Sequence, residues 1–159
     1  MKRKKLSAEE TKAYHKAYYE RNREKLLERS NQYYKDNTDS VKARNYKYYK
    51  MKMETDSTYK LTQYMRSRVR NAINKSMGTK RDRTFELVGC SAEELKLKLE
   101  VNFTEGMNWE NYGEWHVDHI KPCNSFDLTI DSQQRECFYH TNLQPLWAED
   151  NIRKSDNYE

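Results

Sequence analysis

Between residues 1 and 60 the chain offers only four Leu, Ile, Val, Phe or Trp side chains: Leu6, Leu26, Leu27 and Val41. A segment so poor in apolar groups cannot bury enough surface to offset the entropy lost on ordering it into a globule. It also contains no Gly or Pro, which first occur at Gly78 and Pro122. Its Lys, Arg, Glu and Ala content favours helix. Helix without a core of its own is therefore the form expected of it. From Phe85 to Glu159 the composition reverses, with 21 Leu, Ile, Val, Met, Phe or Trp residues. That is enough for one small domain.

Charge divides with the apolar content. Residues 1–75 carry 21 Lys and Arg against 9 Asp and Glu, and residues 76–159 carry 9 against 16. The net of +12 on the first segment and −7 on the second make up the +5 of the whole chain. A basic arm implies a polyanionic partner, with nucleic acid ahead of membrane. No run of hydrophobic residues exceeds three, which excludes a transmembrane helix of about 20 apolar residues. The opening Met-Lys-Arg-Lys-Lys has no apolar segment behind it, so no signal peptide is expected. Cys90, Cys123 and Cys137 are odd in number and widely spaced. They suit free thiols in a reducing compartment rather than a disulfide framework. The expected location is intracellular, in the cytoplasm or nucleus of a host cell.

A 15-residue repeat runs through the arm. Tyr18-Tyr19, Tyr33-Tyr34 and Tyr48-Tyr49 recur at that interval, as do Asn22 and Asn37. Fifteen residues overshoot four helical turns by roughly 60°, so one straight helix would not keep the Tyr pairs on one face. Asn22 and the run Asn37-Thr38-Asp39-Ser40 are cap and turn residues, which predicts short helices broken at both points. Basic residues interleaved with Tyr suit a nucleic-acid track, the cations neutralising phosphates and the Tyr packing on sugars or donating to phosphate. The arm is assigned to residues 1–58. An Arg-rich helix and linker occupy 59–84, where Leu61, Met65, Val69 and Ile73 step by four along a docking face. Arg66, Arg68 and Arg70 lie elsewhere on that helix and are expected to contact DNA.

In the segment 85–159, Ser91-Ala-Glu-Glu94 is a capping box that opens a helix burying Leu95, Leu99 and Phe103. A strand is expected from Trp115 to Ile120, halted by Pro122. A short helix capped by Asp131 should run to Phe138, succeeded by a strand over Leu143–Trp147 and a helix over Ala148–Lys154. The fold class is α+β.

Two strings carry the chemistry: Trp-His-Val-Asp118-His119-Ile-Lys-Pro122, and Thr-Asn142-Leu-Gln-Pro-Leu-Trp-Ala-Glu-Asp-Asn151-Ile-Arg-Lys154. Histidine ionises near neutral pH and can take a proton from water. Carboxylate and amide oxygens are hard ligands suited to Mg²⁺. Such a set can hydrolyse a phosphodiester, the metal stabilising charge on phosphate and leaving oxygen.

On these strings the sequence resembles the HNH endonucleases, the ββα-metal or His-Me finger nucleases, and their phage- and virus-borne homing-type members in particular. The matched pattern is Asp-His-Ile-x-Pro, then Asn-Leu-Gln, then a ligand nine positions after that Asn with Lys three further on. Most family members have His at the last ligand position. Asn151 resembles the H-N-N variant of homing members. The likeness covers residues 115–156, about a quarter of the chain. It implies a DNA endonuclease leaving 5′-phosphate and 3′-hydroxyl ends, with His119 as general base and Asn142 orienting the His119 loop. Asp118 and Asn151 would hold one Mg²⁺ or Mn²⁺ per active site, with no organic cofactor. Lys154, Arg153 and Lys121 would contact phosphate of double-stranded DNA. Two alternatives remain on the same scaffold: a catalytically silent DNA-binding protein, and a structure-directed or RNA-cutting nuclease.

Adjacent strand residues point to opposite faces, so the strand must twist or end at Asp118-His119 if both serve one site. Many family members hold structural zinc through paired Cys-x-x-Cys knuckles, which this chain lacks. A zinc site built from Cys123, Cys137, His140 and His116 is accordingly not expected.

Overall fold

A computed structural model of the protein describes residues 7–155; the basic start Met-Lys-Arg-Lys-Lys and Asp156, the last residue of the expected finger, lie outside them. The architecture is α+β, mostly helical with one two-stranded antiparallel sheet. In chain order the elements are α1 (Ala8–Asp36), α2 (Thr38–Thr55), α3 (Ser57–Lys75), α4 (Thr84–Val88), α5 (Ala92–Val101), β1 (Trp115–His119), α6 (Asp131–Phe138), β2 (Leu143–Trp147) and α7 (Ala148–Lys154). Two compact units divide the chain, residues 1–50 and 51–159. No helix among the described residues is long and apolar enough to cross a membrane.

In the first unit α1 opens with a capping box. The Ser7 hydroxyl accepts from the Glu10 N–H, and the Glu10 carboxylate accepts from the Ser7 N–H at 2.7 Å. The helix then runs 29 residues, straight through Asn22. Only the second expected break occurs, at Asn37. Both Asn side chains donate to the carbonyl four residues back, Asn22 to Tyr18 at 2.8 Å and Asn37 to Tyr33 at 2.9 Å. The residues after the two Asn set them apart. Arg23-Glu24-Lys25 propagates helix, whereas Thr38-Asp39-Ser40 is a run of weak helix formers whose side chains compete for backbone bonds. The Thr38 hydroxyl donates to the Tyr34 carbonyl at 2.6 Å and so helps close the end of α1. Neither α1 nor α2 buries a residue.

The second unit holds the core. Asp56 caps α3 by accepting from the Tyr59 N–H at 2.9 Å. Leu61, Met65, Val69 and Ile73 are all buried, and α3 packs through them on α4 and α5. Gly89 ends α4 in the left-handed region (φ 76°), and a Cβ there would meet the Tyr139 ring at 2.1 Å. No other residue suits both demands. The capping box of Ser91 and Glu94 opens α5, which buries Leu95 and Leu99. Phe103 falls beyond the helix and joins Trp109, Tyr112 and Trp115 in an aromatic cluster with ring centroids 4.7–6.1 Å apart. Strands β1 and β2 pair from Trp115↔Trp147 to His119↔Leu143, and α7 packs on both. Ile130 occupies the cap position of α6. Asp131 is instead its first helical residue, where its carboxylate favours the helix N-terminus and accepts from Arg81 at 3.3 Å.

Candidate functional site

Strand alternation puts His116 and Asp118 on one face of β1. Gln144 lies directly across the ladder from Asp118 and donates to its Oδ2 at 3.0 Å. Helix α7 covers this face with Asn151 and Lys154, one turn apart. The Lys154 ammonium lies 2.6 Å from Asp118 Oδ2 and also donates to the His119 carbonyl. The Asn151 Nδ2 donates to His116 Nδ1 at 3.2 Å, the imidazole accepting through its unprotonated nitrogen. Asp118 is buried, while His116, Gln144, Asn151 and Lys154 are half-buried. Asp118, bonded to Gln144 and Lys154, and Asn151, bonded to His116, thus lie on one polar face of β1. Period-two alternation from Asp118 is the signal for His116, and the antiparallel register is the signal for Gln144.

His119 ends the strand and turns the other way. It is 6% exposed, its Nε2 is buried with no hydrogen-bond partner, and its ring meets Phe138 edge-on at 5.6 Å. Its neighbours are Cys123 and Cys137, and one ligand atom from each of the three residues lies within 4.8 Å of the others. The Cys137 thiol donates to Cys123 Sγ at 3.6 Å. That bond, reinforced by His119, holds the Cys123 thiol down to about 5 against burial, which acts the other way. The same bond pushes the Cys137 thiol up. The strand does end at the Asp118-His119 dipeptide, but the ending leaves the two side chains in different surroundings.

Asn142 fastens the loop after His119. Its Oδ1 accepts from the Lys121 N–H at 2.8 Å, and its Nδ2 donates to the Lys121 and Cys137 carbonyls at 3.1 and 2.8 Å. The Lys121 ammonium sits over the Phe126 ring, 4.5 Å from its centroid. Arg153 pairs with Asp150 at 2.8 Å on the exposed surface and takes no part in the Asp118 cluster. Arg66 and Arg70 of α3 line a pocket of about 310 Å³ with Lys80, Arg83, Thr84 and Phe85. Burial there, with Arg70 and Arg66 alongside, lowers the proton affinity of the Lys80 amine. Arg68 is half-buried and its charge reaches Tyr112 and Cys123 instead. The four-residue zinc grouping of Cys123, Cys137, His140 and His116 does not form: Cys123 and Cys137 gather around His119, while His140 packs on Tyr139 at 4.5 Å and His116 pairs with Asn151.

The chain is similar to two uncharacterized proteins of Acanthamoeba polyphaga mimivirus. One is 36% identical over 107 residues, covering 67% of this chain and 46% of that protein. The other is 35% identical over 103 residues, covering 64% and 44%. The chain spans less than half the length of these relatives. No family model and no solved structure matches it.

Proposed function

We propose that the protein is a Mg²⁺-dependent endonuclease acting on double-stranded DNA, with β1, β2 and α7 as a ββα-metal finger. The observation that carries this reading is the polar cluster under α7, where Asp118, Asn151 and Lys154 gather on one side of β1. The residue types fit a small hard cation: the Asp118 carboxylate and the Asn151 amide oxygen, while the Asn151 Nδ2 is engaged by the His116 imidazole. Asp118 already draws a cation to itself, the Lys154 ammonium. Asp118 and Asn151 would hold Mg²⁺ or Mn²⁺, which supplies charge stabilisation at the scissile phosphate and leaving oxygen. Lys154, released from Asp118, would be free to contact phosphate. The viral source of the two relatives is in keeping with a virus-borne nuclease.

His119 is the general base by its place in the motif. To take a proton from water its buried Nε2 must become accessible, which requires the side chain to leave its place beside Cys123 and Cys137. A second reading rests on that same burial: His116 already lies on the Asp118 face and would serve as the base there. Nicking of supercoiled plasmid in Mg²⁺, abolished by a chelator, tests the activity, and resealing by DNA ligase tests for 5′-phosphate and 3′-hydroxyl ends. Absence of Mg²⁺-dependent nicking contradicts it. Comparing His119→Ala with His116→Ala then assigns the base to whichever variant loses cleavage while still binding DNA.

A further inference from the structure

The proposed endonuclease chemistry uses neither Cys123 nor Cys137, yet the fold holds both against His119. Cys137 is fully buried, His119 is 6% exposed and Cys123 is half-buried, so the cluster lies just beneath the surface. Its Sγ atoms stand 3.6 Å apart. That is far beyond a disulfide bond and close to the spacing of about 3.8 Å between two thiolates on one tetrahedral zinc with Zn–S bonds of about 2.3 Å. The His119 Nε2 is the one buried side-chain polar atom among the described residues with no hydrogen-bond partner. An unpartnered buried imidazole nitrogen costs free energy unless a ligand completes it. Two sulfurs and an imidazole are the donors that soft and borderline divalent ions prefer, whereas Mg²⁺ prefers oxygen.

We propose that His119, Cys123 and Cys137 form a binding site for one thiophilic divalent ion such as Zn²⁺. Binding takes both sulfurs as thiolates, displaces to solvent whichever thiol protons Cys123 and Cys137 carry, and leaves a fourth coordination position for water. The site is separate from the oxygen-donor cluster of Asp118 and Asn151 and differs from it in metal preference. One consequence rests on the endonuclease reading: an ion here would hold the His119 imidazole and keep it from proton transfer, so Zn²⁺ would inhibit Mg²⁺-dependent cleavage.

The direct probe is Cd²⁺ titrated into the reduced full-length chain, monitored by the ultraviolet thiolate-to-cadmium charge-transfer band. One equivalent should saturate the band. Cys123→Ser should remove most of it, His119→Ala should weaken the affinity, and Cys90→Ser should leave it unchanged, with circular dichroism confirming that each variant is folded. A folded wild type with no band overturns the site, as does a band of undiminished strength in Cys123→Ser. Plasmid nicking in Mg²⁺ on the same preparations keeps the two readings apart. Nicking without a band removes the thiolate site and leaves the nuclease, and a band without nicking does the reverse.

Discussion

The two units solve opposite problems with the same kinds of residue. Helices α1 and α2 bury nothing, and Tyr14, Tyr18, Tyr33, Tyr46 and Tyr48 each expose about half of their surface or more. In the second unit Tyr64 and Tyr112 stack at 4.8 Å, and Tyr112 leans on the buried Trp115. Charge differs in the same sense. Residues 1–50 carry a net +8, and residues 51–159 a net −3. A tyrosine beside lysines on an unburied helix stays at the surface, whereas a tyrosine among tryptophans is core. Residue type alone assigns neither role; the apolar density around it does.

Removing residues 1–50 should separate the units with the largest effect. The second unit stays folded, and its affinity for duplex DNA falls about 100-fold or more at physiological salt. The slope of log K against log salt should also shrink, by about 0.9 for each phosphate that the arm neutralises. A cut at residue 58 would in addition delete the Asp56 cap of α3, which costs about 1 kcal/mol. Fluorescence anisotropy across a salt series measures both quantities. Equal slopes for full-length and truncated protein break the comparison, because the arm would then touch no phosphates.

Matched leucine truncations sharpen it. Leu61→Ala, at a fully buried position on α3, should cost about 2–5 kcal/mol in chemical denaturation. Leu27→Ala, at a site 43% exposed on α1, should change stability by less than about 0.5 kcal/mol. Comparable losses would mean that the arm shares the core.

The smallest effect concerns thiols, all of which lie in the second unit. The Cys137 hydrogen bond lowers the Cys123 thiol to about 5, so folding favours its thiolate, and that form is lost only as pH falls through about 5. Burial raises the Cys90 thiol, and the bond to Cys123 raises that of Cys137. At neutral pH iodoacetamide should therefore modify Cys123 first, as peptide mass spectrometry would detect. Zn²⁺ should protect it. Cys90 or Cys137 reacting first would contradict the hydrogen-bond pattern.

Legibility in the sequence tracked the strength of the local signal. The α3 stripe, the Ser91–Glu94 box and the strand over Leu143–Trp147 could be read directly, because periodicity and capping are local. The unbroken passage of α1 through Asn22 could not, since one Asn is outweighed by the helix formers around it. The site was legible by halves. Asp118, Asn151 and Lys154 share a side because the antiparallel pairing of β1 with β2 and the helix that follows at once leave them little choice. The direction of His119 depends on what fills the interior beside it, and Cys123, Cys137 and Phe138 come from separate elements whose approach no spacing announces. His116 was visible only as the residue two before Asp118. Its pairing with Asn151 needed the packing of α7 on β1.

The proposed division of labour, with affinity from the arm and chemistry from the Asp118 face, is tested most directly by Asp118→Asn in the full-length protein. The substitution keeps the shape of the side chain and an acceptor for Gln144 and Lys154 while removing the charge that would hold the metal. Binding and Mg²⁺-dependent nicking should be measured on the same DNA. The expected result is affinity within a few-fold of wild type and cleavage lowered by about 1,000-fold, the several kcal/mol that a metal ion contributes. Full nicking by Asp118→Asn, or loss of binding in step with loss of cleavage, would contradict it.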